Sequence, residues 1–406
     1  METFRRLNAV STDKISNNLV GFAIAEKGAL YACGANAFNL LGVGDCSSRS
    51  VLTRVSLEES VKTVVSGDYS TFVLTRSGAL YTCGYNRYGQ LGLGDTLHRS
   101  VLRKVLLGES VKTVVTDSFS AFVLTHSEVL YSCGYNGVGQ LGLGDKQDQS
   151  TLQRVPLEEN VKTVAIVRGS AYVLTISGAL YACGSNWYGQ LGLEDLQDRS
   201  TLRKVPLSES VRTLAVSGTY ALVLTISGAL YACGNNAYGQ LGLGDRKNRS
   251  TLQRVPLRES AMAIETCHNS TFVLTVSGEL YACGDNEYGQ LGLGDNESRS
   301  TLTRVPLEES VRTLRTNNSS TYVLVVSGVL YTCGNNEHGQ LGLGDEQDRL
   351  TLQRVPLEER VKTVETDGQS VYVITVDDAL YACGDNEDGQ LGLGDTQDRS
   401  TPTRVP

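Results

Sequence analysis

Apolar and polar positions alternate along this chain in short blocks whose order recurs every fifty residues. In the second such row, RVSL (Arg54 to Leu57) is a short strand candidate. VKTVV (Val61 to Val65) is dense in β-branched residues and reads as a second strand. TFVLT (Thr71 to Thr75) is nearly all apolar, as expected of a strand buried on both faces. Arg76-Ser77-Gly78 supplies a tight turn, and ALYTCG (Ala79 to Gly84) is the fourth strand. Some twenty residues rich in Gly, Asn and Asp follow as a structured connection. No stretch carries apolar residues at helical spacing.

The same order returns in eight rows without a gap. Leu-Tyr-x-Cys-Gly-x-Asn begins at Leu30, Leu80, Leu130, Leu180, Leu230, Leu280, Leu330 and Leu380. Gly-Gln-Leu-Gly-Leu follows in seven of them, and the first row reads NLLGV, Asn39 to Val43. Four short strands per repeat of this length define a β-propeller blade. The expectation is an all-β fold: residues 1–406 as one closed propeller of four-stranded blades, eight by repeat count, with seven as the alternative. The tail TPTRVP (401–406) supplies an RVP strand that the first row lacks. It is therefore expected to complete the first blade and close the ring by pairing N- and C-terminal strands.

Composition narrows the function classes. A formal net charge of −8 disfavours nonspecific nucleic-acid binding, which relies on Lys and Arg neutralising phosphates. No run of eighteen apolar residues is present, so no membrane insertion is expected. The start, METFRRLNAV, has no apolar signal-peptide core, and a cytoplasmic setting is expected. Eight of the ten cysteines occupy one repeat position, Cys33 through Cys383. Equivalent positions on packed sheets lie about 10 Å apart, beyond the roughly 7 Å reach of a disulfide, so they read as small buried hydrophobes. Neither Cys-x-x-Cys nor a Cys/His pair recurs, and no metal or other cofactor is expected. GLGD lacks the strand-then-helix context of a phosphate loop. Its glycines instead allow tight turns, and Asn86, Gln90 and Asp95 are placed to satisfy loop amides. The repeating Arg54 and Glu58 series reads as a solvated belt.

SGALYACGNNAYGQLGLGD, Ser227 to Asp245, resembles the repeat of the regulator of chromosome condensation family. The resemblance covers essentially the whole chain. It implies a β-propeller, seven-bladed in well-known members, that serves as a protein-binding platform, including nucleotide exchange on the small GTPase Ran. Three departures stand out. The family Trp before Gly is Cys in every row. The family His is mostly Ser, as at Ser70 and Ser120. Uniform spacing leaves no room for the β-wedge of the exchange factors.

Where near-identical copies disagree, the differences carry information. The three residues before that Ser differ in every row and include Asp68, Tyr69, Asp117, Phe119, Arg168, His268, Asn318 and Asp367. They fall between two strands on one rim and are candidates for partner binding. By the resemblance, corresponding loops contribute to the face that grips Ran. A second variable set surrounds the Asn of the long connection. Early rows offer Tyr85, Arg87, Tyr88, Tyr135, Trp187 and Tyr188; late rows offer Asp285, Glu287, Asp385 and Glu387. Aromatics and Arg commonly anchor protein interfaces, and an acidic sector steers a basic partner.

No nucleophile–base–acid set is visible, so no catalytic residue is assigned. The expected function is a monomeric protein-interaction propeller that binds a Ran-type small GTPase, with guanine-nucleotide exchange as a candidate activity. The alternative is a non-catalytic scaffold or substrate-recognition module, as in a ubiquitin-ligase assembly. Close identity among the copies fits a fast-evolving protein such as a secreted bacterial effector, whose setting is the host cytosol.

Overall fold

A computed structural model describes residues 4–7, 20–317, 319–367 and 369–406, with 4–7 and 367 described as backbone only. The chain forms eight four-stranded sheets, each in sequential strand order. This count excludes the seven-bladed alternative. In the second blade the strands are Val61–Ser66, Ser70–Thr75, Leu80–Gly84 and Arg99–Lys104. First strands of neighbouring blades contact one another and form the hub. The second strand is buried along its whole length, because a blade is packed on both faces by its neighbours.

Two sequence expectations change phase. RVSL is not a strand. The outer strand of the first blade is Arg49–Arg54, which lies just after the Gly-rich connection. Arg54 is its last residue, and Val55 begins the passage to the next blade with its N–H on the Leu30 carbonyl, 2.9 Å. No residue of the outer strand is fully buried, four being half-buried and two exposed, so its sequence lacks a clear apolar signal.

The second change concerns closure. The C-terminal strand Arg399–Arg404 pairs with Leu380–Gly384 and is the outer strand of the eighth blade, not a part of the first. Every copy carries its outer strand after its Gly-rich connection, so the eighth copy consumes residues 399–404 itself. The first blade takes its inner strand from Phe4–Leu7, paired with Val20–Ala25. The ring closes by a lateral clasp. Gly394 N–H donates to Ser50 O at 2.9 Å, just as Gly44 N–H donates to Ser100 O and Gly94 N–H to Ser150 O at 2.8 Å.

The repeated letters build that clasp. Asn86 accepts the Leu91 N–H through Oδ1 at 2.9 Å and donates Nδ2 to the Asp95 carbonyl at 2.9 Å. Asp95 accepts the Leu97 N–H and pairs with Arg99 at 2.5 Å. Gly89 adopts φ 80°, and a Cβ there would meet Ser150 Cα of the next blade at 2.3 Å. Cys133 is buried and donates its thiol to the Gln90 carbonyl of the preceding blade at 3.5 Å.

On the opposite rim, Glu59 accepts the Tyr81 hydroxyl at 2.8 Å and the Ser77 hydroxyl at 2.5 Å. The same trio recurs as Glu159, Ser177 and Tyr181 and as Glu209, Ser227 and Tyr231.

Candidate partner-binding rim

The two variable sets meet on one rim. The first lies in the turn between first and second strands; the second follows the third strand. One backbone bond ties them in each of several blades: Tyr85 N–H to Tyr69 O at 2.8 Å, Tyr135 N–H to Phe119 O at 2.9 Å, and Asp285 N–H to Asn269 O at 3.0 Å. The bond exists because the third strand ends at a left-handed Gly that turns the chain under the first loop.

In blades one to three this rim is an aromatic cluster. Tyr69 stacks on Phe119 with ring centroids 4.9 Å apart. Phe38 meets Tyr69 edge-on at 4.8 Å, and Tyr85 stacks on His98 at 4.5 Å. Tyr88 bridges Phe119 and Tyr135 at 5.1 and 5.2 Å. Offset-stacked and edge-to-face pairs of this kind are favourable and rigid. Phe38 and His98 also belong to the cluster: Phe38 occupies the repeat position of Tyr88 and Tyr188, and His98 that of Asp148 and Asp198, so aligning the rows carries a signal for both.

Beneath the cluster, carboxylates hold neighbouring blades together. Asp68 accepts the Ser118 hydroxyl at 2.5 Å across the seam between blades two and three. Asp117 is buried and accepts three backbone N–H groups: Ser120 at 2.8 Å, Phe119 at 3.1 Å and Gly169 of the fourth blade at 3.2 Å. Burial pushes its carboxyl upward, those amides pull it down, and the nearby Asp68 charge adds to the rise. Asp68 and Asp117 therefore act as seam braces rather than projecting groups.

A cavity of about 280 Å³ opens at the third and fourth blades. Phe119, Tyr135, Val138, Arg168 and Trp187 line it, with Asp117 at its base. Trp187 is 72% exposed, and Tyr188 beside it is also exposed. Arg168 holds φ at 47°, left-handed backbone that a non-glycine residue seldom adopts. Its stem lies over Gly218 of the fifth blade, where a Cβ would stand 2.2 Å from Arg168 Cδ. Arg87 is exposed on the second blade's rim.

The late blades differ. Glu287 and Glu387 are exposed, and their N–H groups donate to Asp285 and Asp385 at 3.2 and 3.0 Å. His268 also adopts a positive φ, 43°, and its carbonyl accepts the Ser217 hydroxyl at 2.6 Å. Asp367 ends the inner strand of the eighth blade, and Asn318 lies outside the described residues. His338, Asp385 and Asp398 place one ligand atom each within 4.8 Å of one another. His338 Nδ1 lies 3.1 Å from Asp398 Oδ2, while Asp398 Oδ1 accepts the Asn386 N–H. All three groups are thus engaged, His338 with Asp398 and both carboxylates with backbone N–H groups.

Four-stranded blades in a ring, with Gly-Gln-Leu-Gly clasps, define an RCC-type β-propeller. The model of the RCC1-like domain matches residues 150–406, and models of the RCC1 repeat match 61–90 and 77–115. The chain belongs to the RCC1-like domain family. None of the curated proteins matches it. Among solved structures it is similar to human WBSCR16, at 22% identity and TM-score 0.66, covering 83% of this chain and 96% of that one. It is also similar to Prp20p from Saccharomyces cerevisiae, at 22% identity and TM-score 0.64, covering 82% and 87%. That structure was described with the binding properties of Prp20p to Gsp1p and histones. A complex of Kap60 with yeast RCC1 (Prp20) aligns at 20% identity and TM-score 0.65, covering 87% and 90%. At these identities the likeness carries the fold. Among the described residues no helix is long and apolar enough to cross a membrane.

Proposed function

We propose that this propeller is a protein-binding platform whose partner docks on the aromatic rim of blades one to four, and that the partner is a small GTPase of the Ran type. One observation carries the reading. In a molecule built of near-identical copies, the rim is where the copies diverge, and there they present stacked aromatics, a cavity and a strained Arg168 together. Interface anchors have this composition, and strained backbone clusters at functional sites. Family membership supports the GTPase as partner. The acidic sector of Glu287 and Glu387 would orient a basic edge of that partner. A cytoplasmic setting, or a host cytosol for a secreted effector, belongs to the same proposal and is supported by ten free thiols.

Exchange activity is the finer part of the proposal. The described turns between first and second strands span only two or three residues, Arg168 and Gly169 in the fourth blade, and offer no inserted wedge. That favours the second reading, a scaffold or substrate-recognition module without exchange. Release of fluorescent GDP from a panel of small GTPases, Ran included, separates the two. Acceleration of one member establishes exchange. Binding by one member without acceleration leaves the scaffold. Absence of both across the panel at micromolar protein overturns the GTPase reading.

A further inference from the structure

The rim opposite the aromatic face carries a second surface. On the inner strands of blades two to eight, the residue after the first buried position is exposed. Six of these residues are cations: Lys62, Lys112, Lys162, Arg212, Arg312 and Lys362. Met262 occupies the position in the sixth blade. Because inner strands form the hub, these side chains ring one mouth of the central channel. Two of them show the arrangement directly. Lys162 Nζ donates to the Arg212 carbonyl at 3.0 Å, and Arg312 donates to the Lys362 carbonyl at 3.1 Å, each reaching one blade onward. Lys362 also forms an ion pair, with Asp378 at 2.6 Å.

An apolar arc borders this ring. The turn between second and third strands places Ile176, Ile226, Val276, Val326 and Val376 in solvent on five consecutive blades, each 54–69% exposed. They sit beside the cations, because the Ile176 N–H donates to the Asn160 carbonyl at 2.9 Å, two residues before Lys162. In the second and third blades the position is Arg76 and His126, so the arc is one-sided. Each of the five blades of the arc thus offers one solvent-exposed branched aliphatic on the same rim, a row of apolar contact points at blade spacing.

The charge around the mouth selects the occupant. Exposed Glu58, Glu158, Glu308 and Glu358 stand on the linkers of the same rim. A flat anionic membrane would meet these carboxylates together with the cations. A free polyphosphate would use the cations and leave the aliphatics bare. A narrow chain entering the mouth lies over the inner-strand cations, of which Lys362 is already paired with Asp378, and lays its apolar side chains on the arc. We propose that this channel mouth binds an acidic peptide segment interleaved with apolar residues, independently of the partner on the aromatic rim.

The test uses the full chain and a fluorescein-labelled peptide in which Glu alternates irregularly with Leu, followed by anisotropy. Control peptides carry Gln for Glu or Ser for Leu. Lys62→Met, Lys112→Met and Lys162→Met are combined, since Met262 shows that this side chain suits the position. Thermal unfolding verifies that the variant folds. The proposal expects the triple variant to bind about tenfold more weakly or worse. It expects loss of binding with either control peptide, and weakening by added salt. A second variant, Ile176→Ser with Ile226→Ser, weakens binding while the cations remain. Equal binding by wild type and the triple variant overturns the proposal. So does binding of inositol hexakisphosphate or phosphatidylserine vesicles with no binding of the peptide, which would reassign the ring to a polyphosphate or a lipid surface.

Discussion

The Cys33 thiol donates to the Gln390 carbonyl at 3.3 Å, across a sequence separation of 357 residues. This contact joins the first blade to the eighth and repeats the one that Cys183 makes to Gln140 at 3.5 Å. The closing seam is therefore chemically the same as an interior seam. Burial pushes both thiols up to about 12. Cys46 alone among the ten cysteines is exposed. A thiol reagent at pH 8 is expected to modify one cysteine in the native protein and ten in denaturant. Fast modification of several native thiols would show that the ring opens. Cys33→Ala and Cys183→Ala are expected to cost similar amounts, about 1–2 kcal/mol each in denaturant titration. A much larger loss for Cys33 would mark the closing seam as special.

Gly89 tests the clasp at backbone level. Its φ is 80°, and a Cβ at this position would approach Ser150 Cα to 2.3 Å, which leaves no accommodation short of moving a blade. Gly89→Ala is expected to destabilise by more than about 2 kcal/mol, combining left-handed strain with a main-chain clash. Gly108, with nothing within 4 Å of its Cβ position, is the control, and Gly108→Ala should leave the melting temperature nearly unchanged. Equal effects would refute the clasp.

The fold is most legible in sequence where burial is complete. TFVLT and the Leu-Tyr-x-Cys-Gly strand lie in the blade interior, so their apolar content announces them. The outer strand is misphased in sequence because R-S-x-L-x-R is half exposed, and the apolar Val55 beside it attracts the assignment. Closure is misread for the same reason, since the tail strand belongs to the blade that precedes it. On the rim, variability locates the right loops but not the roles within them. Asp68 and Asp117 read as projecting polar groups, whereas each braces a seam through hydrogen bonds that only the folded geometry supplies. Glu59, Ser77 and Tyr81 co-recur at fixed offsets. That signal is present in the sequence, but nothing in it shows that a turn brings the three side chains together.

The Glu59 trio predicts acid sensitivity. Hydrogen bonds from Ser77 and Tyr81 are the largest causes that lower its carboxyl, from an ordinary 4.5 to about 2. Glu109, Glu159, Glu209 and Glu309 are lowered by the same two kinds of bond. A carboxyl lowered in the folded state contributes stability that is present above its unfolded value and fades as pH falls through the folded one. Stability is therefore expected to decline from about pH 4.5 toward pH 2. Glu59→Gln should flatten part of that slope while changing stability little in acid. A slope identical to wild type would show that solvent already screens the carboxylate.

Arg168 sets stability against binding. Left-handed backbone costs a non-glycine residue about 1 kcal/mol, and Gly removes that cost while adding a similar entropic loss in the unfolded chain. Arg168→Gly is therefore expected to change stability by no more than about 1 kcal/mol. The same substitution strips the guanidinium from the cavity beside Trp187 and uncovers Gly218. Partner binding should then fall about tenfold or more, the loss typical of an anchor at an interface centre. Trp187→Ala should act alike, and the pair together should lose less than the sum because both line one cavity. If Arg168→Gly instead stabilises the propeller and leaves binding intact, the left-handed turn is a remnant of duplication, and the contact surface must lie toward Tyr69 and Phe119.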